Sequence, residues 1–212
     1  MPARVGSDQV IAESIVVIAM QDYSNQAVLS SDVHKFWAIN YSSTMRNDTR
    51  YSATDAFETF PRPAATEATE HWGRVLDEER RKIMLRRQLG LTKLYNLVNN
   101  PELPDDADDD VARLREIHRQ VDRAVADAYG WQDIALDHGF YTYKKITRYS
   151  ISPAARLEVL DRLLAENHRR AALEEAAEQA KSASAKSKRN SSSSRAKSGA
   201  AASKLQQKES LF

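Results

Sequence analysis

The chain has 212 residues and a formal net charge of +1, with 31 Lys or Arg against 30 Asp or Glu. Because it contains no Cys, disulfides, thiol catalysis and cysteine-zinc sites are excluded. No apolar run approaches the ~18 residues of a membrane span, and the start lacks a signal-peptide pattern, so we expect a cytoplasmic protein.

The balanced total charge conceals two unlike parts. Residues 181–212 hold eight Lys or Arg and one acidic residue, a net charge of +7, among many Ser and Ala. Residues 1–180 hold 23 basic and 29 acidic groups, a net charge of −6. A segment so charged and so poor in apolar residues cannot bury a core. We therefore predict an acidic folded body followed by a disordered basic tail.

The first part of the chain predicts a small α+β piece. Ser14–Met20 is a short apolar, β-branched run bounded by polar residues, which is typical of a buried strand. Residues 25–41 are consistent with a helix packed on that strand. Pro61 and Pro63 stop any regular element, so the first boundary is placed at residue 63.

Helical patterns dominate after this boundary. Residues 66–88 predict a helix that Gly73 weakens in its first turn, and Gly90 is a plausible C-cap or break before a short helix at 92–98. Residues 101–110 predict a loop. The next helix is amphipathic because its apolar residues recur at steps of three and four. These residues are Val111, Leu114, Ile117, Val121, Val125 and Ala128.

The remaining elements follow a turn at Gly130. Residues 141–149 alternate aromatic and basic side chains and predict a short strand or hairpin arm. Ser152 and Pro153 are an N-cap and first helical residue, and the last helix is expected to fray near Ala180. Its predicted apolar face consists of Leu157, Leu160, Leu163 and Leu164. The sequence thus predicts a mainly α protein, with a helical domain over 64–180 and the tail over 181–212.

Neither the acidic run nor the histidines predict a metal site. The run (Asp105, Asp106, Asp108, Asp109 and Asp110) offers carboxylates, but it lacks the glycine turn and closing Glu of a calcium loop. Carboxylates before a helix also stabilise it through the positive end of the helix dipole, and we prefer this interpretation of the run. The five His show no metal-ligand spacing. They are His34, His71, His118, His138 and His168.

Two aromatic-rich segments carry a family resemblance. HKFWAINYSSTMRND (34–48) and YSATDAFETFPRP (51–63) resemble the end of the target-recognition region in MmeI-like, type IIG or IIL restriction–modification enzymes. Those proteins fuse an adenine-N6 DNA methyltransferase to a DNA-recognition domain and often to a nuclease. The resemblance continues in the same order through residues 80–101, 114–131 and 151–170.

The resemblance implies a truncated relative that lacks the catalytic domain. The family's methyltransferase uses S-adenosylmethionine and an Asn-Pro-Pro-Tyr or Asn-Pro-Pro-Phe loop that holds a flipped base, and cleavage uses Mg. Here the one Asn-Pro, Asn100-Pro101, is followed by Glu102, and the six Gly form no methyl-donor loop. We therefore expect no catalytic residues and no cofactor in this chain.

The DNA-contacting residues implied by the resemblance lie in the polar loop between the aromatic residues of these two segments. Hydroxyl, amide and guanidinium groups are the mixture used for phosphate and base-edge contacts. The candidates are Ser43, Thr44, Arg46, Asn47 and Arg50. A structural turn is the alternative for this loop. The flanking aromatic residues are expected to form core rather than to stack on bases.

Two further basic groups have two interpretations each, namely ion pairing or contact with the DNA backbone. One group lies on the predicted helix over 66–88 and pairs with local carboxylates in the first interpretation. Its members are Arg80, Arg81, Lys82, Arg86 and Arg87. The other group is Lys144, Lys145 and Arg148.

The tail supports a separate hypothesis. A flexible polycation adds salt-sensitive, sequence-independent affinity for DNA. Its terminal residues Gln207, Leu211 and Phe212 resemble a sliding-clamp peptide, although the spacing departs from the usual pentapeptide by one residue. An uncommitted disordered end is the alternative.

Two functions follow from the sequence. The first is a DNA-binding specificity fragment of a restriction–modification, phage-defence adenine-N6 methyltransferase, working with a separately encoded methyltransferase half or left as a remnant. The second is a helical protein–protein docking module that does not touch DNA. An apolar strand at 14–20 without a partner would expose apolar surface in either case.

Overall fold

The computed structural model describes residues 1–209 except 7, 9–14, 43, 46–47 and 50, with side chains left undescribed at 44–45, 48–49 and 182–209. It divides into two compact units, Met1–Glu166 and Asn167–Phe212. The described part of the second unit is a continuation of the last helix. No helix in the described part of the chain is both long enough and apolar enough to cross a membrane.

The fold is mainly α with two short antiparallel strand pairs, which confirms the predicted class. The helices are α1 (Tyr23–Ser30), α2 (Asp32–Tyr41), α3 (Glu67–Arg87), α4 (Leu91–Val98), α5 (Asp109–Ala128) and α6 (Pro153–Glu209). The strands are β1 (Thr44–Met45), β2 (Asp48–Thr49), β3 (Gly139–Tyr143) and β4 (Ile146–Ser150). A π-helical turn spans Ala53–Glu58 and a 3₁₀ turn spans Asp105–Ala107.

The core of the first unit forms where α3 packs against both α1 and α5. On α5 the predicted apolar stripe is buried from Val111 to Val125, as the period of three to four residues requires. The stripe of α6 differs from the prediction. Val159 and Leu163 are fully buried, whereas Leu157 is 60% exposed, because the buried face follows Ala155 at four-residue steps.

Local capping explains where α3 begins and ends. Thr66 Oγ1 accepts from the backbone N–H of Thr69 at 3.1 Å, and Thr69 Oγ1 accepts from the N–H of Thr66 at 2.9 Å. Gln88, with a φ of 54°, is the left-handed C-cap. Of the two roles predicted for Gly90, the C-cap is wrong and the break holds, because Gly90 has a φ of −74° and lies between the two helices, directly before α4.

The predicted strand Ser14–Met20 is also wrong over its described residues. Residues 15–20 form no strand, and Val17 is 62% exposed. A strand needs a neighbour that pairs its backbone N–H and C=O groups, and the strand pairs in the described chain involve other segments. The single helix expected over 25–41 is divided at Ser31, whose Oγ donates to the carbonyl of Val28 at 2.7 Å.

The hairpin predicted around 141–149 is present as β3–β4, with Tyr143 opposite Ile146 across a two-residue connection. Gly130 adopts a φ of 80° in the turn after α5. Helix α6 continues past the expected end near Ala180 to Glu209. The disordered basic tail remains a prediction, and Leu211 and Phe212 of the proposed clamp peptide lie outside the described residues.

Gly73 is a point of close helix contact, which its sequence position did not reveal. A Cβ atom at Gly73 would lie 1.9 Å from the carbonyl oxygen of Tyr23 in α1. Gly73→Ala should therefore lower the free energy of unfolding by about 1–3 kcal/mol or more through overpacking, despite the better helix propensity of Ala. Urea denaturation measures the change.

Gly90→Ala is the matched control, because nothing lies within 4 Å of a Cβ atom at that position. We expect its unfolding midpoint to stay close to that of the native chain. A Gly73→Ala variant as stable as Gly90→Ala would contradict the close packing of α1 on α3.

Candidate nucleic-acid interface

The segment predicted to contact DNA connects α2 to the π-helical turn. Within it, β1 pairs with β2 through Thr44 opposite Thr49 and Met45 opposite Asp48. The predicted contact residues Ser43, Arg46, Asn47 and Arg50 lie outside the described residues, as does the side chain of Thr44. Their contact with DNA therefore stays a prediction.

Half of the six aromatic residues that flank this segment are core, whereas Tyr51 and Phe57 are only half-buried. Phe36, Trp37 and Phe60 are each at most 4% exposed. Tyr41 is 39% exposed and lies against the Trp37 ring, with 4.1 Å between ring centroids. The aromatic set thus holds the base of the segment together, and Tyr41 is its accessible edge.

Contacts across the cluster join the two ends of the segment. The Tyr51 hydroxyl and His34 Nε2 are hydrogen-bonded at 3.1 Å, and Trp37 Nε1 donates to Thr59 Oγ1 at 3.3 Å. The Phe60 ring packs edge-on against His34 at a centroid distance of 4.9 Å. The chain on both sides of residues 42–50 is therefore fixed to α2.

Burial keeps the histidine of this cluster neutral. Desolvation is the largest effect on His34 and lowers its pKa from 6.5 to about 4, although a hydrogen bond with the Leu29 backbone opposes the shift. Desolvation likewise lowers the pKa of His118 to about 4. His118 Nε2 and the Tyr95 hydroxyl are hydrogen-bonded at 2.8 Å inside the core.

A buried polar network at the start of α2 was missed by the sequence analysis. Asp122 Oδ1 accepts from the backbone N–H of Asp32 at 2.6 Å, and Asp122 Oδ2 lies 2.8 Å from His138 Nε2. Asp32 Oδ2 accepts from the N–H of Ile151 at 2.8 Å, and its Oδ1 pairs with Lys35. Burial raises the pKa of Asp122, and the nearby charge of Asp32 adds to this effect.

Asp32, Asp122 and His138 each offer one metal-ligating atom, and these atoms lie within 4.8 Å of one another. Every carboxylate oxygen of the pair already has a protein partner, so the network acts as a structural connection between α2, α5 and the chain that enters α6. No local sequence motif indicates this network, because Asp32 and Asp122 are 90 positions apart in the sequence.

The basic group on α3 is largely neutralised by carboxylates. Arg80 is 3% exposed and donates to the carbonyl of Pro2 at 2.9 Å. It also lies 3.4 Å from Asp77. Lys82 pairs with Glu79 at 2.9 Å, whereas Arg86 and Arg87 reach across to Asp110 and Asp108 at the start of α5. The ion-pairing interpretation therefore holds for these four basic residues, with partners on α5 as well as on α3.

The acidic run before α5 serves the helix start, as predicted. Asp108 is the N-cap and accepts from the backbone N–H groups of Asp110 and Val111. Burial alone would raise the pKa of Asp108, but the Arg87 hydrogen bond and these N–H groups hold it below its usual range. Asp105 pairs instead with the buried Arg115, at 2.7 Å.

Comparison with known proteins relates the N-terminal segment to a described domain family. Residues 1–64 match the model of the family described as "MmeI, target recognition domain", which confirms the resemblance over that segment. A comparison with curated proteins gave no match. A solved structure titled "Structure of Type IIL restriction-modification enzyme MmeI in complex with DNA has implications for engineering of new specificities" is 20% identical, with a TM-score of 0.44. The alignment covers 70% of this chain but only 16% of that chain.

The buried histidines predict acid-sensitive stability. The unfolded chain binds protons at His34 and His118 below about pH 6.5, but the folded chain does so only near pH 4. Their stabilising contribution is thus complete above pH 6.5 and is lost as the pH falls from 6.5 to 4. At pH 5 each histidine should lower the free energy of unfolding by roughly 1–2 kcal/mol.

Denaturant titrations at pH 7 and pH 5 measure this loss. The raised pKa of Asp122 acts in the opposite direction, but one carboxylate is outweighed by two histidines. His118→Gln should reduce the pH dependence, and His71→Gln, which alters an exposed histidine, should leave it unchanged. A native midpoint that stays constant or rises on acidification would be inconsistent with neutral buried histidines.

Proposed function

We propose, from the premise that residues 1–64 belong to an MmeI-type target recognition domain, that this chain binds double-stranded DNA as the specificity part of a restriction–modification system. The family match carries the proposal, because it covers the whole segment between the start of α2 and Pro63. The modification in that family is adenine-N6 methylation, and we infer the same context for this chain.

The chemistry of residues 43–50 suits this role. Ser43, Thr44 and Asn47 supply small donors and acceptors, while Arg46 and Arg50 supply guanidinium forks for phosphates or guanine edges. The aromatic cluster fixes both ends of the segment, so less conformational entropy is lost when the segment binds DNA.

The uneven distribution of charge suggests different roles in DNA binding for two parts of the chain. Residues 1–180 carry a net charge of −6, so we infer that they bind DNA through local basic sites rather than through overall attraction. Residues 181–212, at +7, add affinity for any duplex. This sequence has no Asn-Pro-Pro motif, so methyl transfer would require a methyltransferase part outside residues 1–212 that binds S-adenosylmethionine.

Replacement of both arginines in the segment tests the proposal. Arg46→Ala with Arg50→Ala should weaken binding to duplex DNA by roughly tenfold, and the slope of log affinity against log salt should fall by about 2. Fluorescence anisotropy across a salt series gives both quantities.

The charge-matched control is Arg74→Gln with Lys82→Gln, which removes two exposed cations that pair with Glu70 and Glu79 on α3. This control should bind DNA like the native chain. Equal affinities for the Arg46→Ala/Arg50→Ala variant and the native chain would remove the segment from the interface, whereas a native chain that does not bind duplex DNA would favour the docking-module hypothesis.

A further inference from the structure

The β3–β4 hairpin has a turn whose residues are unusual for its geometry. Its two connecting residues, Lys144 and Lys145, have φ values of 46° and 69°. Positive φ at both positions defines the type I′ turn, which strongly prefers Asn-Gly because L side chains rarely adopt this conformation. Two lysines are thus held where backbone preference disfavours them, and a strained turn of this kind points to a function.

The cations of this hairpin also lack the ion pairs found elsewhere. Lys144, Lys145 and Arg148 are exposed, and none forms a salt bridge with a carboxylate in the described part of the chain. Residues 139–150 contain these three cations and no acidic residue. Unlike the basic group on α3, whose charges are neutralised by carboxylates, the hairpin tip is therefore a local positive site on an acidic body.

The tip is held rigidly by aromatic residues at its base. The Tyr143 hydroxyl donates to Asn40 Oδ1 in α2 at 3.0 Å, and the guanidinium of Arg156 lies 4.2 Å from the centre of the Tyr143 ring. On the other strand, Tyr149 accepts a hydrogen bond from Arg119 at 2.8 Å, and its backbone N–H donates to Asn99 Oδ1 at 3.1 Å. Because the backbone that carries these cations is already fixed, binding orders only their side chains.

The same contacts place the tip beside the segment proposed to recognise DNA. Asn40 precedes Ser42, the described residue directly before this segment, by two positions, so their Cα atoms are at most about 7 Å apart. Tyr143, which contacts Asn40, is adjacent to Lys144 in the chain. Arg148 lies opposite Tyr141 and therefore on the face of the hairpin that carries Tyr143. A DNA strand has a phosphate about every 3.4 Å along the helix axis, so one duplex can span both sites.

We propose that the β3–β4 hairpin is a second DNA-binding site, in which Lys144, Lys145 and Arg148 bind backbone phosphates of the duplex whose bases are contacted from residues 43–50. This inference rests on the proposed function and extends it beyond the matched residues 1–64. Lysine ammonium groups on flexible stems act as point charges for phosphates. The hairpin therefore adds affinity and register without sequence preference.

The test replaces the lysines with the residues that the turn prefers. Lys144→Asn with Lys145→Gly in the full chain removes two charges while favouring the type I′ turn. The unfolding midpoint should be equal to or higher than that of the native chain. Affinity for duplex DNA should fall roughly tenfold at about 0.1 M salt, and the salt slope should fall by about 2. Two duplexes of unrelated sequence should show the same loss, as expected for phosphate contacts.

The Arg74→Gln/Lys82→Gln variant again provides the control for a loss of two charges, and it should bind normally. The basic tail is the same in all of these proteins, so its contribution cancels in the affinity ratios. A Lys144→Asn/Lys145→Gly variant that binds DNA like the native chain, while Arg46→Ala/Arg50→Ala weakens binding, would overturn the hairpin proposal and leave the proposed function standing. A protein partner with an acidic surface would then be the better candidate for the hairpin.

Two other results would also count against the hairpin. If the control loses as much affinity as the hairpin variant, the effect belongs to net charge and the proposal is wrong. If the native chain fails to bind duplex DNA, both the hairpin proposal and the proposed function are wrong.

Discussion

The hydrogen bonds of Asp32, the first residue of α2, set the position on which the proposed interface depends. Its backbone N–H donates to buried Asp122 of α5, and its carboxylate accepts from the N–H of Ile151 just before α6. These bonds act in a low-dielectric interior, where a satisfied polar network is strong and directional and an unsatisfied one is costly. Helix α2 is consequently fixed at its N-terminus, and the aromatic cluster around Trp37 fixes the remainder. The segment that follows α2 therefore departs from a defined point and direction.

Charge is distributed so that helices and loops have different roles. On α3 and at the start of α5, cations and carboxylates neutralise each other, which joins the two helices and leaves little net field. The β3–β4 hairpin, which contacts the C-terminal end of α2, carries cations and no acidic residue, and Arg46 and Arg50 follow α2 in the sequence. An acidic body with such local basic sites rejects most polyanion contacts and favours the few that align with these sites. This arrangement is consistent with selective DNA binding.

The sequence was sufficient for those features that depend on local signals. Helices α3 and α5 and the start of α6 follow from apolar periodicity and from caps at Thr66, Asp108 and Ser152, all encoded within a few residues. The prediction of a strand at 14–20 was wrong because an apolar run forms a buried strand only when a neighbouring strand pairs with it. The close approach of α1 to Gly73 and the Asp32–Asp122–His138 network depend on contacts between segments that are distant in sequence. The periodicity of apolar residues carries no information on such contacts. The strained lysine turn also became evident only from backbone angles, although the alternation of aromatic and basic residues had marked the hairpin.

The measurement that tests the central claim most directly is duplex binding by residues 1–180 beside the full chain, across a salt series. The deletion ends beyond the compact unit Met1–Glu166, so the folded body is kept intact. If the segment after α2 and the hairpin bind DNA, the shortened chain will still bind with a clear salt dependence, and only the share due to the tail will be lost. If binding disappears with the tail, the folded body has no DNA-binding surface of its own, and DNA recognition by residues 43–50 and the hairpin is contradicted.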